Sequence, residues 1–213
     1  MSAERPLRRR SLPLWGDSPE GEGGTMTSRP ALAVVVMGVS GCGKTEVGQR
    51  LARRLDARFI DADDLHPPGN VEKMRAGIAL DDADRAPWLA LLNARLREAV
   101  AAGQPVVLAC SALKQSYRDR LADGVANLRF VHLVGDRGLI AARLAARQHR
   151  YMPASLLDSQ LATLEPPAEA IVLDVAVPPE ALVDLAVRAL AGDSRWDGPD
   201  GHRSNATPAP ESR

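Results

Sequence analysis

The stretch Gly38-Val-Ser-Gly-Cys-Gly-Lys-Thr45 narrows more than any other what this chain can fold into. It spells G-x-x-x-x-G-K-[ST], the pattern of a phosphate-binding loop. Such a loop needs a strand before it and a helix after it, and the flanks supply both. Ala31-Leu-Ala-Val-Val-Val-Met37 is a continuous apolar run rich in valine, as expected of a strand buried on both faces of a parallel sheet. Glu46 to Asp56 carries Val47, Leu51, Ala52 and Leu55 at helical spacing. Gly38, Gly41 and Gly43 let the backbone turn tightly, so that with Val39, Ser40 and Cys42 it presents its N–H groups inward. The helix N-terminus adds partial positive charge. Lys44 reaches the β- and γ-phosphates, and the Thr45 hydroxyl suits Mg²⁺. The minimum expectation is binding of a nucleoside triphosphate.

The rest of the chain alternates strand and helix. Ala57 to Asp63 is expected to be a second strand ending in two carboxylates, Asp61 and Asp63, which point the same way because strand residues two apart share a face. At the carboxyl end of a strand, Asp61 suits a role in steering Mg²⁺, and Asp63 suits accepting a proton from an attacking hydroxyl. The Pro-Pro-Gly of Leu65-His-Pro-Pro-Gly-Asn70 marks a turn. His66 is read there as a structural or substrate-positioning residue rather than as a general base. Asn70 is read as the cap of a short helix to Ala76. A long helix opens within Leu80–Trp88 and ends near Gly103, with Pro87 in its first turn and Trp88, Leu89, Leu92, Leu96 and Val100 on its apolar face. Arg85 opposes the dipole at that helix start, which points to an anionic ligand or to a local pair with Asp81 or Asp84.

Pro105–Cys110 is expected as the third strand. Ser111, Lys114 and Arg118 follow at i, i+3 and i+7, so they share a helix face able to bind a carboxylate or hydroxyls. Leu128–Val134 is the fourth strand. The next helix carries Arg143 and Arg147 at i, i+4, leading into Gln148-His-Arg-Tyr-Met-Pro153, an arrangement that suits a short lid closing on phosphates. Helix resumes from Ala154 to Leu164. Ala170–Val175 is the fifth strand and Pro178–Leu190 the last helix. Together these predict an α/β domain over residues 30–191: a five-stranded parallel sheet with helices on both faces.

The flanking segments read differently. Residues 1–29 begin basic and continue rich in Gly, Ser, Thr and Glu, a composition that does not support a core. They lack the apolar stretch of a secretory signal. A disordered extension, or translation starting at Met26, accounts for them. Residues 192–213 are polar, with Pro and Gly and no periodicity, and are expected as a disordered tail. Lys plus Arg and Asp plus Glu stand at 27 each, so no basic field points to nucleic acid or an anionic membrane. No apolar run approaches the ~20 residues that span a bilayer. Cys42 and Cys110 have neither metal-ligand nor disulfide spacing, which suits a reducing cytoplasm.

Several blocks, in order, give a more specific resemblance. They are Met37–Thr45, Asp61-Ala-Asp-Asp-Leu-His-Pro67, Asn70-Val-Glu-Lys-Met74, Leu80-Asp-Asp-Ala-Asp-Arg-Ala-Pro-Trp-Leu89, Cys110-Ser-Ala-Leu-Lys114 with Tyr117-Arg-Asp119, and Ser159-Gln-Leu-Ala-Thr-Leu-Glu165. From about Ala33 to Leu190 the chain resembles the small P-loop, thermoresistant type of gluconokinase. The resemblance implies ATP- and Mg²⁺-dependent phosphorylation of D-gluconate to 6-phosphogluconate by a homodimer. It implies Lys44, Asp63 and Arg147 as catalytic residues, with Arg143 on the nucleotide. Arg85, Lys114 and Arg118 become the candidates for the gluconate carboxylate. One departure stands out: the family places His-Phe three residues after the second lid arginine, whereas here His149 comes one residue early and Arg150 takes its place. Two other readings compete. A kinase for another small hydroxy acid, such as shikimate, shares the Asp-x-Asp but not the Leu-His-Pro and Asp-Arg-x-Pro-Trp blocks. A nucleotide-dependent switch protein would lack an acceptor altogether.

Overall fold

The structure, a computed structural model, describes residues 31–146 and 155–192. The expectations for residues 1–29 and 193–213, and for Arg147 to Pro153, lie outside the described residues.

The strands are β1 (Ala33–Met37), β2 (Arg58–Asp61), β3 (Val106–Ala109), β4 (Leu128–Val134) and β5 (Ile171–Asp174). All pair in parallel, in the order β2-β3-β1-β4-β5. The helices are α1 (Lys44–Arg54), α2 (Pro68–Arg75), α3 (Asp82–Ala101), α4 (Gln115–Ala122), α5 (Arg137–Ala146), α6 (Ser155–Thr163) and α7 (Pro179–Leu190).

β1 is central, and every one of its residues is fully buried. Its alternation divides the core in two. Val34 and Val36 face a cluster with Leu51, Leu133, Ile140, Leu157 and Leu182, from α1, β4, α5, α6 and α7. Ala33, Val35 and Met37 face another with Trp88, Leu92, Leu96 and Leu121, from α3 and α4. Helices therefore cover both faces, and all-apolar strands such as Val106–Ala109 fit because neither face meets water. The first strand of the chain lies in the middle of the sheet, so its C-terminal loop opens at the switch point where the strand order reverses direction, the place ligands bind in such folds.

Some local expectations are corrected. α3 starts at Asp82 because Asp81 and Asp84 form a capping box: the Asp84 N–H donates to Asp81 Oδ1 (2.7 Å) and the Asp81 N–H to Asp84 Oδ2 (3.1 Å). Pro87 consequently sits inside the helix, beyond its first turn. Asn70 does not cap α2, which begins two residues earlier at Pro68. It is buried, and its Nδ2 donates to the Asp84 carbonyl (2.9 Å), pinning α2 to the start of α3.

Candidate active site

The phosphate loop is pressed between β4 and α5. At Gly38 (φ 137°) a Cβ would lie 2.6 Å from the Leu133 carbonyl oxygen, and at Gly41 (φ 87°) 2.6 Å from Leu144 Cγ. Both backbone conformation and contact thus demand glycine. Lys44 curls back along the loop, its Nζ donating to the Val39 carbonyl (3.0 Å), so the Val39–Ser40 edge marks the β/γ-phosphate end. Beside the loop lies a cavity of about 290 Å³ lined by Gly41, Gly43, Glu46, Arg143, Val177 and Pro179, among others. Arg143 is fixed there by donating from Nη2 to the Val175 carbonyl (2.8 Å).

The two carboxylates do not alternate along one strand as expected. β2 stops at Asp61, and Asp63 lies in a 3-10 turn, Ala62–Leu65. The stop is made by Asp61 itself, whose Oδ1 accepts from the Asp63 N–H (3.1 Å). Its other oxygen, Oδ2, accepts from Thr45 Oγ1 at 2.9 Å. Asp63 carries no such side-chain tie among the described residues, and its charge acts on His66 and Cys110. The Cys110 thiol, at the end of β3, is pushed up to about 12 by burial first, and the charges of Lys44, Asp63 and Arg85 all act on it. Lys44, Asp63 and Cys110 follow β1, β2 and β3, three neighbouring strands of the sheet, and Cys110 is an inert core thiol.

On the far side of Asp63, His66 stacks on Trp88, with ring centroids 4.2 Å apart and planes 11° from parallel. Trp88 is held by its Nε1–H on the Ala62 carbonyl (2.9 Å). Burial lowers the His66 pKa, Asp63 opposing and Arg85 adding to that effect, so the ring is neutral at pH 7. Its Nδ1 is buried without a hydrogen-bond partner among the described residues.

Arg85 takes neither local partner that its sequence position offers. Asp84 is paired with Lys73 (2.6 Å), and Asp81 is engaged in the capping box. Among the described residues Arg85 donates a long bond, 3.3 Å, to the Leu80 carbonyl, and its guanidinium lies 5.8 Å from the Tyr117 ring centroid. Lys114 approaches the same ring at 5.4 Å, but its Nζ is bonded to both oxygens of Asp82 (2.8 and 2.9 Å). Tyr117 also donates its hydroxyl to Asp82. The hydrogen bond from Lys114 chiefly depresses the Asp82 pKa, and the same bond raises that of Lys114.

Arg118 is not on a shared face with Lys114. α4 begins only at Gln115, and the Arg118 side chain is 2% exposed. Its Nη1 donates to the carbonyls of Ala112 (2.9 Å) and Leu113 (3.0 Å), and its Nε and Nη2 to Gln115 Oε1. It props the loop between β3 and α4 from within, at the point where Ala112 adopts the left-handed conformation (φ 45°). A ligand carboxylate has no free edge of it to grip.

The structure thus gathers Lys44, Thr45, Asp61, Asp63, His66, Arg85 and Lys114 at the carboxyl end of the sheet, keeps Arg143 on the nucleotide side and withdraws Arg118. Arg147 lies outside the described residues. Sequence reasoning missed Asp82 as the shared partner of Lys114 and Tyr117. It also missed Gln160, which bonds to Ser40 across 120 residues of chain.

For the donor set around Thr45, the chemistry fits Mg²⁺. A hydroxyl and a carboxylate oxygen adjoin the phosphate loop, and Mg²⁺ takes one or two protein oxygens beside phosphates and water.

Residues 34–167 match a family model described as an AAA domain. The chain is 57% identical over 136 residues to a gluconokinase of Gluconobacter oxydans, covering 64% of this chain and 76% of that one. It is 45% identical over 133 residues to the thermosensitive gluconokinase of Escherichia coli, covering 62% and 71%. Among solved structures, a gluconokinase from Sinorhizobium meliloti superposes with a TM-score of 0.69 at 44% identity, covering 78% of this chain and 94% of that one. An unliganded sugar kinase from Janibacter gives 0.72 at 45% identity, covering 76% and 95%.

Proposed function

The chain belongs to the gluconokinase family of P-loop kinases, and from that premise we propose that it transfers the γ-phosphoryl group of ATP to the C6 hydroxyl of D-gluconate, giving 6-phospho-D-gluconate. The observation that carries the choice of an anionic acceptor is Arg85, a guanidinium without an ion-pair partner among the described residues, set over Tyr117 beside His66 and Lys114. A fork of this kind suits a carboxylate.

In this reading the loop N–H groups of residues 38–45 and Lys44 hold the ATP phosphates, and the cavity between Arg143 and Pro179 takes the nucleoside. Thr45 and Asp61 hold Mg²⁺, which when bound neutralises phosphate charge. Asp63 orients the C6 hydroxyl and accepts its proton late, since phosphoryl transfer asks for positioning more than for a strong base. Neutral His66, held flat against Trp88, positions a gluconate hydroxyl. Arg85 takes the gluconate carboxylate, with Lys114 beside it. Arg147, with Arg143, closes over the transferring group. The same reading includes a homodimer, by family, and a cytoplasmic setting, by cysteine usage. No helix among the described residues is long and apolar enough to cross a membrane.

The test is ADP release from Mg-ATP across D-gluconate, shikimate, glucose, glucuronate and AMP. Turnover confined to D-gluconate, with a 6-phospho product, is the expected result. Turnover with shikimate alone would move the substrate. ATP hydrolysis indifferent to every acceptor would replace the kinase with a switch protein.

A further inference from the structure

Gln160 lies on α6, and its carboxamide is matched to Ser40 at both ends. The Ser40 N–H donates to Oε1 at 2.6 Å, and Nε2 donates to Ser40 Oγ at 3.1 Å. Ser40 adjoins Val39, whose carbonyl receives Lys44, so the contact falls on the β/γ-phosphate edge of the loop.

The other end of the same segment holds the acceptor side. One turn beyond Gln160 the Leu164 N–H returns to the Gln160 carbonyl (2.9 Å). Glu165 then makes two bonds to the loop between β3 and α4. Its N–H donates to the Leu113 carbonyl (2.9 Å), and its Oε2 accepts from the Gln115 N–H (2.5 Å). Between those two bonding points sits Lys114. Leu157 and Leu164 bury this segment against the core, Leu164 touching both apolar clusters. Bidentate pairing of Arg137 with Asp158 (2.7 and 2.8 Å) fixes α6 to α5 as well. A six-residue rod, Gln160 to Glu165, therefore spans from the phosphate loop to the acceptor loop, with hydrogen bonds at each end.

We infer that Gln160 is a positioning residue: through α6 and Glu165 it sets the β/γ-phosphate edge at Ser40 in register with the loop that carries Lys114, and so couples ATP binding to acceptor binding. A phosphate that attracts the Ser40 N–H competes with Oε1 for it, and the consequence reaches Leu113 and Gln115 through a short, packed helix turn. Such coupling is reciprocal, each ligand changing the affinity of the other by the same factor. The inference rests on the gluconate reading only for the choice of second ligand.

The experiment is calorimetric titration of D-gluconate into the full chain with and without a non-hydrolysable ATP analogue, for wild type, Gln160→Ala and Glu165→Ala. Wild type is expected to bind gluconate about fivefold or more tightly with the analogue present. In both variants the factor falls to within about twofold of one. A mere packing defect would weaken single-ligand binding or thermal stability and leave the factor intact. A factor of one in wild type, or an unchanged factor in Gln160→Ala, overturns the inference. Should wild type not bind gluconate at all, the substrate reading fails instead. Hydrogen exchange of residues 157–165 with the analogue alone then decides: altered protection in wild type that Gln160→Ala abolishes supports the tie, and identical exchange in the two sinks it.

Discussion

Thr45 and Asp61, sixteen positions apart in the chain, are joined by a 2.9 Å hydrogen bond from hydroxyl to carboxylate, while the second oxygen of Asp61 caps the turn that carries Asp63. In the proposed reading one side chain thus serves the metal side and the acceptor side together. Asp61→Asn keeps an oxygen for one role only. The Mg²⁺ concentration for half-maximal activity should rise about tenfold or more. A Mg²⁺ titration of the variant at saturating ATP checks this, and an unchanged midpoint would remove Asp61 from the metal site.

Among the described residues the Asp63 side chain has no hydrogen-bond partner, and Lys44 bonds to its own loop. Asp63→Asn and Lys44→Ala should each lower kcat by about 10²-fold or more with melting temperature nearly unchanged. Near-normal turnover in Asp63→Asn would take it out of the proton path.

The two arginines once grouped as carboxylate ligands should part company. Arg85→Ala loses a charged contact to substrate, so the KM for D-gluconate should rise roughly 10- to 100-fold with little change in stability. Arg118→Met strands the Ala112 and Leu113 carbonyls, and should cost about 2–4 kcal/mol of folding stability. Urea melts and acceptor kinetics on both variants give the comparison, and the reverse pattern would refute the assignment.

His132 on β4 is 4% exposed, and its Nε2 has no hydrogen-bond partner among the described residues. Burial foremost, then the charge of Arg118, lowers its pKa to about 4. The unfolded chain protonates this ring near pH 6.5, while the folded protein resists until about 4. Stability should therefore be flat above pH 6.5 and decline as the pH falls to 4, by about 3 kcal/mol at ~1.4 kcal/mol per unit. His66, also lowered, adds in the same direction. Urea midpoints from pH 7.5 to 4.5 should fall less steeply for His132→Gln than for wild type; parallel curves would contradict this.

The strands were legible because their burial is written in composition: Val34–Val36 and Val106–Leu108 are apolar on both faces, and no helix pattern competes. The phosphate loop was legible because its chemistry is local, eight consecutive residues. What periodicity could not reveal depends on non-local geometry. Arg118 looked like a surface cation because helical spacing assumes the helix has begun, whereas Ala112 turns left-handed and α4 starts late. Asp61 and Asp63 were taken as strand neighbours because nothing local announces that Asp61 ends its own strand. Gln160 carries no periodic or charge signal, and its partner is 120 residues away.

The strand order places the Asp61, Asp63, Arg85 and Lys114 machinery on β2, β3 and the helices between them, and the Arg143–Pro179 cavity on the β4 and β5 side, with the loop after β1 as their shared border. In the proposed reading, acceptor choice is thereby written mainly in one stretch of the gene, while nucleotide choice is drawn from both sides of it, residues 41–47 and 143–182. Substitutions within residues 58–125 can redraw the acceptor pocket without touching the nucleotide cavity. A lineage can change what it phosphorylates by drift in one half while the other keeps the same fuel.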